Sequence, residues 1–183
     1  MPNKTRLSVD DWIDAGFEIL AAEGRDAVKV DRLCQHLGVT KGSFYWHFTS
    51  MSAYRDALIE EWAQLSGREH PVSHAPADLP PRKRLSLMTE AVVSPRHWKL
   101  ERAMREWART DDAVAASVSA ADRRALAAVR EAFVDLGFDA EEADVRARVT
   151  FAAGLGFLIM SGPKSRPLPR ARRERVLDLM ARP

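Results

Sequence analysis

The stretch GVTKGSFYWHF, Gly38 to Phe48, sets four rings in unbroken succession: Phe44, Tyr45, Trp46 and His47. Neighbouring positions on an α-helix point in widely different directions, whereas a helix facing a core keeps its apolar residues at i, i+3 and i+4. Four adjacent rings cannot share one face. Some of them must meet something other than the protein's own interior, and this limits what the surrounding chain can be.

Upstream, Val30, Leu33, Cys34 and Leu37 follow a helical stripe that ends at Gly38. Only LGVT separates that stripe from the next helix, which Thr40 can cap and which is expected over about 40–48. Two short helices joined by a tight turn containing glycine make a helix-turn-helix, whose second helix can enter a DNA major groove. Gly38 is expected at positive φ, where a Cβ is costly. Val39 and Phe44 are placed to lock the second helix against Leu33 and Leu37, with Phe48 one turn further along the same face. The rest points outward. Lys41 can reach a guanine edge or a phosphate, Gly42 lets the backbone approach DNA closely, and Ser43 can bond a base edge or phosphate. Trp46 offers an apolar face to thymine methyls, and Tyr45 and His47 carry polar tips for phosphate oxygens. Two rings build the bundle and three face the DNA.

Around this motif, helix signals dominate. Ser8 and Asp11 read as a capping pair for a stripe of Val9, Trp12, Ile13, Gly16, Phe17 and Leu20, stopped by Gly24. Ser50 can cap a helix with Tyr54, Leu58, Ile59 and Trp62 on its inner side. Four prolines in GREHPVSHAPADLPP, residues 67–81, mark a linker. Helices are then expected at about 82–93, 96–108, 111–136, 140–160 and 170–181, with no convincing period-two alternation. The expected fold is all-α. A three-helix N-terminal helix-turn-helix bundle is joined by a fourth helix to a larger C-terminal helical bundle, with domains 6–66 and 67–183.

The segment Trp12–Leu58 resembles the DNA-binding domain of the tetracycline-repressor (TetR) family of bacterial transcription regulators. The likeness is carried by an aromatic-containing first helix ending in glycine and by AVKVDRLCQHLGVTKGSFYWHF. It implies that Thr40, Lys41, Gly42, Ser43, Tyr45, Trp46 and His47 contact bases or phosphates. The family usually has threonine where Lys29 stands and often lysine where Met51 stands. The first change weakens a helix cap while gaining a phosphate-seeking charge, and the second removes a phosphate contact near which Arg55 stands one turn later, so their net effect on affinity stays open.

Composition supplies the remaining limits. With 183 residues, 46% hydrophobic and 30% charged, the chain can bury a core. A net charge of +2 does not by itself imply nucleic acid, so the local distribution matters. Residues 32–55 hold three basic residues and no acidic one, while residues 1–50 hold six Lys/Arg against seven Asp/Glu. A single cysteine, Cys34, suits a reducing cytoplasm and a buried position. The N-terminus has no apolar signal region, and the longest uncharged run, 149–163, is too short to span a membrane, so a soluble cytoplasmic protein is expected.

The C-terminal half offers Met88, Trp98, Met104, Trp107, Phe133 and Phe157 either as core or as walls of an apolar pocket for a small-molecule effector. AAGLG, 152–156, follows no strand and lacks a third glycine, so it is no dinucleotide loop; small residues there suit close helix–helix approach. Helices 111–136 and 140–160 are the expected homodimer interface, since two copies grip a palindromic site. His70 and His74 lie among prolines and make a poor metal pair, the basic C-terminus reads as a solvated tail or capping helix, and no catalytic, metal or cofactor constellation emerges. The expected function is a homodimeric DNA-binding regulator, not an enzyme, acting as a repressor; by the resemblance, ligand binding levers its DNA-binding domains apart. Two rivals stay open: a helical ligand-binding or enzymatic protein keeping the motif only as scaffold, and an adaptor using that face for protein contacts.

Overall fold

The computed structural model describes residues 7–68, 78–92, 95–160 and 168–182. Its helices are α1 Val9–Glu23, α2 Val30–Leu37, α3 Lys41–His47, α4 Met51–Arg68, α5 Pro81–Val92, α6 Pro95–Ala108, α7 Asp112–Asp135, α8 Ala140–Met160 and α9 Arg170–Met180. A 3-10 turn at Arg25–Ala27 joins α1 to α2, and the described residues contain no strand. The all-α architecture is as the sequence predicts. His70 and His74 lie outside the described residues.

Local signals explain most of the boundaries. Ser8 and Asp11 form a reciprocal capping box, with the Ser8 N–H donating to Asp11 Oδ2 at 2.7 Å and the Asp11 N–H donating to Ser8 Oγ at 3.2 Å. The Asp11 carboxyl is thereby held below its ordinary pKa, the Ser8 backbone N–H being the main cause. Ser50 Oγ accepts from the Ala53 N–H at 3.1 Å. Asp111 caps α7 and Asp139 caps α8, each accepting two first-turn N–H groups. The helices α5 and α6 start one residue earlier than expected, on Pro81 and Pro95. Proline is at home in the first helical position, where its missing N–H would have had no intrahelical partner. Val9, expected on the inner stripe, is 45% exposed in the first turn, ahead of the buried run that begins at Trp12.

The first core gathers Trp12, Phe17, Leu20, Leu33, Phe44 and Leu58 from α1–α4 and takes in Met104 and Trp107 from α6 and Val114 and Val118 from α7. It therefore runs across the expected boundary at residue 66. Helices α1 and α4 approach closely at Gly16, where an added Cβ would stand 2.0 Å from Tyr54 Oη. That hydroxyl donates to the Trp12 carbonyl at 2.8 Å and ties α4 to α1. The second core packs Leu85 and Met88 of α5 with Val129 and Phe133 of α7, Ala143 and Ala147 of α8, and Leu177 of α9. The basic C-terminus is thus a packed helix, and Arg82 fastens it through Glu174 at 2.8 Å and Asp178 at 2.7 Å.

Helix α8 is apolar on two sides. Ala143, Ala147, Thr150 and Leu158 are buried, while Val145, Val149 and Ile159 are 52%, 49% and 71% exposed. Ala152 is exposed between them, and a Cβ on Gly156 would meet nothing within 4 Å. No helix of the described residues is long and apolar enough to cross a membrane.

Candidate nucleic-acid interface

Gly38 closes α2 in the left-handed conformation, φ 67° and ψ 35°, with its N–H donating to the Cys34 carbonyl. This single conformation turns the chain tightly enough for Val39 and Thr40 to lead straight into α3, and it favours glycine. Lys29 stands at the N-cap of α2 without a side-chain capping bond, and Thr40 likewise at that of α3. What fixes α3 is its inner face. Phe44 is fully buried, with its ring 5.4 Å from Trp12, 5.4 Å from Phe48 and 5.6 Å from Tyr54. Such ring pairs contribute roughly 0.5–1.5 kcal/mol each beyond simple burial.

The outer face is left to solvent. Tyr45 is 57% and Trp46 63% exposed, the largest aromatic surfaces of the described residues. Thr40, Lys41 and Gly42 are exposed and Ser43 is half-buried. His47 differs from the simple division into inner and outer rings. It is half-buried, 6.2 Å from Trp12 and 4.6 Å from Trp46, so one edge leans on the core. At Gly42 an added Cβ would meet only Thr40 Oγ1, at 3.7 Å, so packing within the protein does not demand glycine there.

Electrostatics add a residue the sequence did not single out. Lys41 Nζ lies 2.6 Å from Asp31 Oδ1, and this hydrogen bond holds the ammonium above its ordinary pKa. Both side chains are mostly exposed, so the pair adds little stability. Arg32, counted among the basic residues here, is engaged elsewhere: its Nη2 meets Glu23 Oε1 at 2.6 Å, pinning α2 to the end of α1. Burial raises the pKa of Cys34, as suits a small core residue.

A cavity of about 140 Å³ lies in the C-terminal bundle. Met88, Trp98 and Phe157 line it, together with Ala125, Phe151 and Leu177. Met104, Trp107 and Phe133 do not line it. Met104 and Trp107 belong to the first core, on the side of α6 that packs against α1, and Phe133 is buried in the second. Trp107 Nε1 donates to Asp111 Oδ2 at 3.2 Å. The cavity wall also carries charge. Arg105 Nη2 lies 2.6 Å from Glu101 Oε1 and 2.5 Å from Asp122 Oδ1. The i,i+4 spacing of Glu101 and Arg105 was visible in the sequence, but Asp122, on another helix, carried no local signal. Among the described residues, no three His, Cys, Asp or Glu side chains group to hold a metal.

A glycine turn between two short helices, the second locked by its inner rings and presenting an open aromatic and basic face, defines a helix-turn-helix protein. Residues 13–58 match the family model of bacterial regulatory proteins of the tetR family, so this part of the chain is similar to that family's DNA-binding domain. It is 32% identical over 81 residues to the HTH-type transcriptional regulator SrpR of Pseudomonas putida, covering 44% of this chain and 34% of that one. It is 38% identical over 56 residues to the tetracycline repressor protein class D of Escherichia coli, covering 31% and 26%. The chain thus spans about a third or less of the length of these curated relatives. The whole fold has its own likenesses. A regulatory protein TetR from Rhodobacter sphaeroides superposes with a TM-score of 0.73 at 22% identity, covering 93% of this chain and 97% of that one. A protein of Saccharomonospora viridis solved in complex with choline does so at 0.74 and 14%, covering 93% of each.

Proposed function

We propose that the protein is a homodimeric transcriptional repressor that binds a palindromic operator through α3 and is released from it by a small molecule held in the C-terminal bundle. The exposed Tyr45 and Trp46, on a helix whose inner face is locked by Phe44, carry this reading. Large aromatic surface held rigidly toward solvent is costly unless a partner covers it. Thr40, Lys41, Gly42, Ser43 and His47 complete the DNA face, and the space around Gly42 supports close approach of a backbone from outside. Residues 6–66 form the DNA-binding domain and 67–183 the effector and dimerisation domain.

The dimer reading is supported by α8. A helix apolar on two sides needs cover on both, and the stripe Val145, Val149, Ala152, Gly156 and Ile159 is left largely open by the protomer's described residues. A second copy related by a two-fold axis would cover it with the same stripe, with α7 alongside. The effector reading is supported by the cavity and by the choline complex of the Saccharomonospora viridis protein of the same fold. A bacterial regulator of this kind works in the cytoplasm, where the DNA is.

Selection of bound duplexes from a random pool tests the whole reading. The wild type should enrich inverted repeats whose half-sites are centred about 34–36 Å apart, one helical turn, or a multiple of it. Gly156→Trp should leave the protomer folded, sediment as a monomer and lose the inverted repeat. No enrichment by the wild type, or an unpaired site enriched equally by both proteins, would contradict the proposal.

A further inference from the structure

The wall of the cavity holds polar groups that the protein itself leaves unmet. Trp98 is 4% exposed and Thr150 9% exposed, and both line the cavity. Among the described residues, Trp98 Nε1 and Thr150 Oγ1 find no hydrogen-bond partner. Neither atom is wetted, since both are closed off from solvent. A buried indole N–H and a buried hydroxyl without partners are each unfavourable, and such groups in a native interior call for an explanation. Indole nitrogen can only donate, and hydroxyl can donate as well as accept. Both are therefore met by an acceptor.

Charge narrows the ligand further. Glu101 and Asp122 on the wall stand against Arg105 and Arg173, two acids against two bases. Arg105 already bonds both acids through Nη1 and Nη2, and Arg173 Nη1 donates to the Leu168 carbonyl at 2.5 Å, while the Nε–H of each arginine is a further donor without a partner among the described residues. An anionic ligand would bring a third negative charge beside the buried Glu101. A cation would leave the Trp98 N–H, which can only donate, without an acceptor. Most of the remaining lining is apolar: Met88, Ala125, Val129, Phe151, Phe157 and Leu177.

From these features we infer that the cavity takes an uncharged, largely apolar carbonyl compound, whose oxygen accepts from Trp98 Nε1–H and Thr150 Oγ–H. This rests on the reading of the cavity as the effector site. Ligand entry must part the wall to reach these two atoms, so binding and a change in the packing of α6 against α8 are one event.

Four probes of similar size separate the chemistries: acetophenone, ethylbenzene, benzoate and benzylammonium. Their affinities are measured by calorimetry and thermal shift, with the Trp98 indole N–H followed by NMR. Acetophenone should bind about tenfold or more tighter than ethylbenzene and shift the indole proton downfield. The double variant Trp98→Phe, Thr150→Val should bring that ratio to about one. Thr150→Val alone preserves shape, should fold as the wild type does, and should lower the ratio severalfold. Equal binding of ethylbenzene and acetophenone, preference for benzoate or benzylammonium, or a ratio unmoved by Thr150→Val would each overturn the inference while leaving an effector site in place. Binding of none of the four would instead overturn the effector-site reading beneath it.

Discussion

Replacing Gly16 by alanine should destabilise the protein, although it exchanges a poor helix former for the best one. Propensity alone favours the change by about 1 kcal/mol. The new Cβ, however, would stand 2.0 Å from Tyr54 Oη and 3.0 Å and 3.1 Å from the two terminal methyls of Leu58. No carbon–oxygen pair persists at the first distance, so the phenol must move. Its hydroxyl is buried and donates to the Trp12 carbonyl at 2.8 Å, and burial has already pushed its pKa up. Displacing it costs about 1–3 kcal/mol for overpacking and about 1–3 kcal/mol for an unmet buried hydroxyl. Set against the propensity gain, the net loss is about 1–5 kcal/mol. Urea denaturation at fixed protein concentration measures it. Tyr54→Phe alone should cost about 1 kcal/mol, the net worth of one hydrogen bond. The double variant removes the clashing oxygen and leaves the ring edge and the Leu58 methyl ends, at about 3 Å or more, as the nearest contacts. It should therefore be more stable than the sum of the single losses by at least about 1 kcal/mol. A stabilised Gly16→Ala protein, or additivity within about 0.5 kcal/mol, would refute the reasoning.

Asp31→Asn should strengthen binding of duplex DNA, since it frees Lys41 and removes a negative charge from the edge of the α3 face, while stability changes by less than about 1 kcal/mol; fluorescence anisotropy and thermal melts check the two halves. Acid should loosen α9. The pKa of Glu174 is lowered from 4.5, chiefly by the Ser86 hydroxyl and then by Arg82, and that of Asp178 is lowered from 3.8 by Arg82. Depressed carboxyl values stabilise the fold above the unfolded-state values and lose that contribution as pH falls through the folded ones. Stability should therefore drop between about pH 5 and about pH 3, and Arg82→Met, followed by urea titration at each pH, should flatten that part of the profile.

The helix-turn-helix was legible because its information is local. Gly38 needs its left-handed turn, Phe44 and Phe48 lie one turn apart, and Ser8 and Asp11 cap each other within a single turn. The pieces that escaped depend on partners distant in sequence. Asp31 becomes the companion of Lys41 only once the turn has folded α3 back beside α2. Met104 and Trp107 read in the sequence as core first and pocket wall second, and what decides between them is that one side of α6 faces α1 across the expected domain boundary. Arg105 and Asp122 meet across two helices. The burial of Thr150 at the start of the apolar half of α8 was not predicted, yet with Trp98 it gives the cavity its chemistry. Only AAGLG gave an early hint of α8's second apolar side, through its small residues.

Whether the exposed face of α3 reads DNA is decided by how binding responds to salt. Affinity for a selected duplex, measured by anisotropy as salt rises from about 50 to about 200 mM, tests this directly for the wild type and Lys41→Ala. Wild-type affinity should fall by orders of magnitude as counterion release is lost, with log affinity linear in log salt. Lys41→Ala should bind more weakly throughout, by about 1–3 kcal/mol where the lysine reads a guanine, with an unchanged melting temperature. Binding indifferent to salt, or a Lys41→Ala protein that melts earlier yet binds as the wild type does, would contradict it.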